Sequence, residues 1–335
     1  MQSPVTKMIE KWDSLSPPSE FGARNVLLAD SSHPLDFRIA RDSRGHFVFL
    51  LDTDRPAGGL PGLPRLMGIT TELEEPDSGR VRLVLVLQDR ADLQNFSLMC
   101  TGIMIATRKI ASSNSPEGFI RTLEELHRWQ EMLKRRRDNR LTRSERIGLV
   151  GELLFLRDEL AERMGLAAAL HTWTGHERHE QDFVVGLTIF EVKTQVVTAD
   201  RMIGISSEDQ LDPVQGTILI CNQGLAPTPE GSNGSCTLNL LAKELAELAK
   251  GAGGAASDLL EIGLLGAGYE PHPEYDEETW TLVDRALYEV RDDFPRIERA
   301  DLRPGVEQVR YKIRVADCQP FDVDIDSTFE DLLNG

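Results

Sequence analysis

The chain has 335 residues, 40% of them hydrophobic and 27% charged, with a net charge of −18. This composition gives a folded protein with core enough for one large or two medium domains, and it excludes a disordered chain. The acidic balance also weighs against a protein that coats nucleic acid by itself, because such binding leaves a basic footprint.

The opening stretch, "MQSPVTKMIEKWDSLSPPSEFG", lacks the apolar core and cleavage pattern of a secretory signal. Residues 20–110 read as β-rich. "HFVFLLD" and "RVRLVLVLQD" are short apolar or alternating runs, separated by the Pro/Gly loop of residues 54–68. Arg80 and Arg82 alternate with Val81 and Leu83 as in a half-buried antiparallel strand. An N-terminal β-rich domain over 1–114 is the expectation, followed by a second domain over 115–335.

From Ser115 the period changes. "SPEGFIRTLEELHRWQEMLKRRR" has a Ser cap, Pro at the first helical position and helical spacing. Its end opens a basic ridge: residues 133–146 carry seven Lys/Arg against two acids. Arg135, Arg136, Arg137 and Arg140 could meet a phosphate backbone there, although a solvated helix face is the plain alternative. A second helix starts at Thr142, where Glu145 completes a capping box, and it closes at Gly165. Leu149, Leu153, Leu156 and Leu160 form its packed stripe, and Gly148 and Gly151 allow close approach to a sheet.

After "HTWTG" come strands at "QDFVVGLTIFEVKTQ", "MIGIS" and "GTILICN", then a loop over 224–236 and the helix "TLNLLAKELAELAKG". "GAGGAAS" reads as a flexible joint before the helix "SDLLEIGLLGAG", and "TWTLVDRALYEV" and "QVRYKIRVAD" read as the last strands. The four cysteines, Cys100, Cys221, Cys236 and Cys318, form no C-x-x-C; they fit reduced thiols in a cytoplasm and no zinc module. No apolar run approaches the ~18 residues of a membrane span.

The chemistry concentrates in residues 181–195. Gly186 and Leu187 suit a two-residue hairpin turn with Gly at its first central position. Val185 then faces Thr188, and Asp182 falls opposite Glu191. Cross-strand partners lie ~5 Å apart at Cβ. Residues two apart on a strand share a face, which adds Lys193 to the patch and leaves Phe190 and Val192 on the other side. Two carboxylates this close repel unless a proton or cation lies between them. Mg²⁺, with Mn²⁺ as a substitute, fits a site of one or two carboxylates plus a phosphate. Glu152, beside the packed stripe of the second helix, needs a partner if buried and would be an additional metal ligand, direct or through water. His171, His176 and His179 crowd a loop but lack the spacing of a helical zinc site. Trp173 reads as a packing anchor rather than a base-stacking platform.

A helix Glu, an Asp opening a strand and a Glu-x-Lys on the next strand together resemble the PD-(D/E)XK nuclease superfamily. "GLVGELLFL", "WTG", "QDF", "FEVKT" and "ISSEDQL" resemble more narrowly the bacterial DUF4420 group, most strongly over residues 145–215. The resemblance implies an α/β (overall α+β) restriction-endonuclease-like core, with a central four-stranded mixed sheet flanked by helices. It implies Mg²⁺-dependent phosphodiester hydrolysis, with DNA ahead of RNA as substrate, in a cytoplasmic prokaryotic defence system with partner subunits. Asp182 and Glu191 would be metal ligands, Lys193 the catalytic lysine and Glu152 the helix acid; Gln210, Ser206 and Ser207 would lie near substrate. Gln181 stands where the superfamily name has proline, a variable position. The alternative is a catalytically silent scaffold subunit of a defence complex that keeps the fold. The intact acid–acid–lysine set favours the enzyme.

Overall fold

The computed structural model describes residues 2–136, 140–174, 181–197, 201–212, 216–229, 231–291 and 293–334, with only the backbone of 132–136. Two compact units emerge: Met1–Asn139 with Gly253–Ile262, and Arg140–Ala252 with Gly263–Gly335.

The first unit opens with a helix, α1 (Pro4–Ser14), capped by the Ser3 side chain. A five-stranded antiparallel sheet follows, formed by β1 (Arg24–Leu28), β2 (Asp36–Asp42), β3 (Phe47–Asp54), β4 (Ile69–Glu74) and β5 (Arg80–Leu87), in the order β1-β2-β3-β5-β4. Arg24 and Glu74 sit on its two outermost strands, yet their side chains meet at 2.7 Å. Four interstrand steps would span ~19 Å in a flat sheet, so this sheet is strongly bent. Two further helices follow, α2 (Leu93–Ala106) and α3 (Ser115–Arg136), and the unit also takes in Gly253–Ile262, most of it from a later helix.

The expected break at 114/115 differs from the observed division at α3. Phe119, Leu123, Leu126 and Trp129 bury this helix's apolar face, and it packs against α2 and β3. Burial thus groups α3 with the N-terminal sheet. The sequence reading also passed over α1 and α2. α2 is mostly apolar and carries nine buried residues, with its exposed polar residues confined to Gln94 and Asn95 in the first turn, so it lacks the continuous polar face that would betray a helical period.

The second unit begins with α4 (Arg143–Phe155), whose Thr142/Glu145 capping box is present as expected. Its helical path continues through a π turn, Leu156–Ala161, into α5 (Glu162–Met164), and ends at Gly165 with φ 80°. α6 (Leu166–Thr172) leads to the hairpin of β6 (Phe183–Val185) and β7 (Thr188–Val196). Next come β8 (Met202–Ile205), β9 (Thr217–Pro227), β10 (Ser235–Cys236), α7 (Leu238–Ala252) and α8 (Gly254–Gly266), of which Gly254–Ile262 belongs to the first unit. β11 (Trp280–Val290), β12 (Tyr311–Arg314), α9 (Val315–Cys318), β13 (Asp322–Val323) and α10 (Ile325–Asn334) close the unit.

The main sheet runs β10-β11-β9-β7-β6, with β13 added to β11, and is mixed because β7 and β9 are parallel. The implied four strands are there as β6, β7, β9 and β11; β10 and β13 are two-residue additions. Helix-flanked and mixed, this unit has the α+β character of a restriction-endonuclease-like core. β9 is longer than expected and runs through Gln223–Pro227, because β11 pairs with it as far as Pro227. The joint at "GAGGAAS" contracts to Gly253, with φ 112°, between α7 and α8. "QVRYKIRVAD" yields only the four-residue β12, which pairs with β8 as a separate ribbon.

The two faces of β7 have different coverings. Phe190 packs with Phe155 of α4 and stacks on Phe329 of α10, at ring separations of 5.3 and 5.2 Å. Ile189, on the opposite face, joins a buried cluster with Ile203, Ile205 and Ile313 of the β8–β12 ribbon. All four cysteines are free and buried. Among the described residues no helix is long and apolar enough to cross a membrane.

Candidate functional site

β7 forms because "TIFEVKTQV" is dominated by β-branched and aromatic residues. Gly186, with φ 62°, supplies the left-handed backbone that a two-residue turn needs. The register is Val185↔Thr188, Val184↔Ile189 and Phe183↔Phe190. The next position sets Asp182 beside Glu191, as the spacing predicts. Pairing with β6 has ended there, and the Asp182 carboxylate takes over: its Oδ2 accepts the Val192 N–H at 2.7 Å.

Glu191 is 3% exposed and shares the ribbon-side face with Lys193. Its Oε1 accepts from Lys193 Nζ at 2.6 Å and from Gln210 Nε2 at 2.6 Å. Its Oε2 is buried without a hydrogen-bond partner. Burial first, then the Asp182 charge, pushes the Glu191 carboxyl up to about 8. Asp182 is pushed up to about 6 by burial, against the opposing pull of Lys193 and the Val192 N–H. Burial disfavours the Lys193 ammonium, but Glu191 and Asp182 outweigh it and hold its pKa above the usual lysine value.

Glu152 belongs to the same electrostatic cluster but arrives from the other side of the sheet. α4 lies on the Phe190/Thr194 face, because Gly151 leaves no room for a side chain: a Cβ there would come 1.7 Å from Thr194 Oγ1. Gly148 has nothing within 4 Å, so only one of the two expected glycines serves close approach. Trp173 Nε1 donates to Glu152 Oε2 at 2.9 Å. Burial and then the Asp182 charge push Glu152 up to about 8. Trp173 is buried and stacked on Phe183, the anchor role expected of it.

Gln210 is drawn into the cluster through Glu191. Its Oε1 accepts the Ser206 N–H at 3.0 Å and the Ser206 hydroxyl at 3.2 Å. Ser206 is exposed and Ser207 half-buried at the edge of this turn. The turn itself is tied down by buried Glu208, whose carboxylate accepts the N–H groups of Gln308 and Val309.

The basic ridge is less free than its sequence suggests. Arg140 is exposed but pairs with Glu274 at 3.0 Å, and Arg143 pairs with Glu278 at 2.6 Å. Arg135 and Arg136 lie on α3 with their side chains outside the described residues, as Arg137 is altogether. His171 is exposed on α6, while His176 and His179 lie outside the described residues.

Two functional-looking residues escaped the sequence reading. Gln223 is fully buried; its Nε2 donates to the Gly151 carbonyl at 2.9 Å, and its Oε1 accepts from Arg285 Nε at 2.9 Å. Arg285 in turn pairs with Glu159 on the π turn. This relay ties the helix that carries Glu152 to the strand beside β7. The signal was the polar pair "NQ" inside the apolar run "ILICNQGLA".

Among the described residues no three or more His, Cys, Asp or Glu side chains are grouped so that they could hold a metal ion. Glu152, expected as a further ligand, thus forms no three-acid group with Asp182 and Glu191, and these two are the carboxylates that could hold a cation. A hard divalent ion such as Mg²⁺ fits them, since such an ion keeps several waters and takes one or two carboxylates. The unpartnered Glu191 Oε2 is the acceptor that such an ion would satisfy.

Residues 8–316 match the family described as "Putative PD-(D/E)XK family member, (DUF4420)". No curated protein and no solved structure matches the chain.

Proposed function

The chain belongs to this DUF4420 family, and on that premise we propose that it is a Mg²⁺-dependent nuclease subunit that hydrolyses phosphodiester bonds of DNA. The observation that carries the reading is Glu191, with one oxygen held by Lys193 and Gln210 and the other buried without a partner. A buried acceptor beside a second carboxylate calls for a proton or a cation. Asp182 and Glu191 would hold Mg²⁺, or Mn²⁺ in its place, with Glu152 as the adjoining acid.

When bound, the metal supplies Lewis acidity, offsetting phosphate charge and acidifying water. Lys193 stays an ammonium at neutral pH because its carboxylate neighbours raise its pKa. It therefore acts by stabilising charge on the phosphate and by delivering a proton, rather than by removing one. Glu152, pushed up to about 8, can hold or release a proton near neutrality. Gln210 fixes the Glu191 carboxylate, and exposed Ser206 beside it can face substrate. Arg136 and Arg140 offer positive charge for the DNA backbone, Arg140 by exchanging Glu274 for phosphate. With a net charge of −18, partner subunits of a cytoplasmic defence system would supply much of the affinity and the targeting.

The test is nicking of supercoiled plasmid by the full chain, alone and co-expressed with its neighbouring genes' products. Nicking should require Mg²⁺ and vanish in Lys193→Met and Asp182→Asn proteins whose circular dichroism matches wild type. Neither Mg²⁺ binding by calorimetry nor nicking in any combination would overturn the reading and leave a silent assembly scaffold.

A further inference from the structure

The first unit carries a feature that the nuclease reading does not use. The bent sheet buries Ala40, Val48, Leu50 and Val84 on one face. At that face lies a half-open cavity of about 370 Å³, whose wall includes Arg24, Arg38, Arg82, Glu74, Val26 and Leu50. Three guanidiniums and one carboxylate share this wall, on a chain whose net charge is −18, and Arg24 pairs with Glu74 at 2.7 Å.

The arginines are held in place from behind. Arg38 grips Asp36 through Nε and Nη2, at 2.8 and 2.7 Å. Arg82 grips Asp52 through the same edge, at 2.6 and 3.0 Å. Neither aspartate lines the cavity, and Asp52 is buried. Both side-on pairs leave the Nη1 groups uncommitted. Arg82 Nη1 lies 3.7 Å from Glu74, beyond hydrogen-bond length. Rigid guanidinium forks with spare donors are a common means of binding phosphate.

We propose that this cavity binds a small phosphomonoester, carried on an uncharged body of about nucleotide size. Donor geometry selects the phosphate. A phosphomonoester presents three strong acceptor oxygens, enough to take the spare donors of Arg38 and Arg82 and reach Arg24, whereas a carboxylate offers only two. The volume lies near the lower end of the ~300–1,000 Å³ of small-molecule sites, enough for one such ligand. Val26 and Leu50 supply the apolar wall for its body. The source is either a free nucleoside monophosphate or the phosphorylated end of a nucleic-acid strand.

Calorimetry on the full chain in EDTA separates this from the metal site of the second unit. A nucleoside 5′-monophosphate should bind one to one, and the same nucleoside without phosphate should not. Arg24→Ala removes one donor at the rim, and Val26→Trp fills the cavity while keeping every charge. Each should weaken binding at least tenfold without lowering the melting temperature. Competition by a 5′-phosphorylated oligonucleotide, but not by its 5′-hydroxyl form, would support a strand end as the source. Failure of both to compete would support the free nucleotide. No saturable binding of either phosphorylated probe, or binding unchanged in both variants, overturns the proposal.

Discussion

Gln210 donates to Glu191 Oε1 at 2.6 Å from an amide whose other end accepts the Ser206 N–H at 3.0 Å. A backbone N–H can only donate, so it fixes which end of the amide faces the carboxylate. Glu191 is thereby held as an acceptor by two donors on a single oxygen, Lys193 being the other. The orientation left to Oε2 is the one a cation would meet. Residue 210 thus acts through Glu191, as a positioning residue.

Replacing Gln210 with Ala should therefore weaken the response to Mg²⁺ more than the response to DNA. A hydrogen bond to a charged group contributes about 1.5–3 kcal/mol, roughly a tenfold to hundredfold rise in the Mg²⁺ concentration for half-maximal nicking. The KM for plasmid should hardly move. Gln210→Glu, which sets a third carboxylate against Glu191, should be worse than Ala. A titration in which KM rises and the Mg²⁺ midpoint stays put would assign Gln210 to substrate contact instead.

Lys193→Met should separate catalysis from stability in a pH-dependent way. It leaves Glu191, 3% exposed, without its cation, and a buried charge stripped of its partner costs about 3–5 kcal/mol. Glu191 can avoid that cost by staying protonated, since its carboxyl already lies at about 8 with the lysine present. Melting temperatures of wild type and variant should therefore be close at pH 6 and diverge at pH 9. A gap of the same size at both values would mean that the pair is not buried as described.

The same carboxyls set how stability responds to pH, and the proposed metal binding would follow them. Glu152, Asp182 and Glu191 are pushed up to about 8, 6 and 8, from ordinary values of 4.5, 3.8 and 4.5. Between pH 4 and 8 the folded state therefore holds more protons at these sites than the unfolded state, and their contribution makes stability fall as pH rises through that window. A divalent cation competes with those protons. The rise in melting temperature on adding Mg²⁺ should be small at pH 5.5 and clearly larger at pH 8.5. Equal shifts at the two values would remove these carboxyls from the binding site.

Much of this arrangement could be read from spacing. The turn at Gly186–Leu187 and the period of two along β7 set Asp182, Glu191 and Lys193 together, because each rule depends on local backbone geometry alone. Features that depend on distant packing could not be read. α2, mostly apolar and buried along most of its length, shows no clear period, so its helix is decided by burial against α1 and α3. The strand character of Gln223–Pro227 depends on β11, more than fifty residues further along. Gln210 could be singled out only by resemblance; that it reaches Glu191 depends on how the turn after β8 folds back over β7. Arg140 and Arg143 read as a free ridge because their partners, Glu274 and Glu278, lie more than 130 residues away.

The two helix glycines, equivalent in sequence, should behave oppositely when given a methyl group. At Gly151 the new Cβ would lie 1.7 Å from Thr194 Oγ1 and 2.6 Å from Thr194 Cβ, so helix or strand must shift. Overpacking of this kind costs about 1–3 kcal/mol, and displacing the helix that carries Glu152 should also lower nicking. Adding Thr194→Ala should rescue Gly151→Ala only in part, since the Cβ contact persists. At Gly148 nothing lies within 4 Å, so Gly148→Ala should stabilise by about 0.5–1 kcal/mol through helix propensity alone. Urea unfolding of the three variants checks this. A Gly151→Ala protein as stable as wild type would place α4 further from β7 than the Thr194 contact allows.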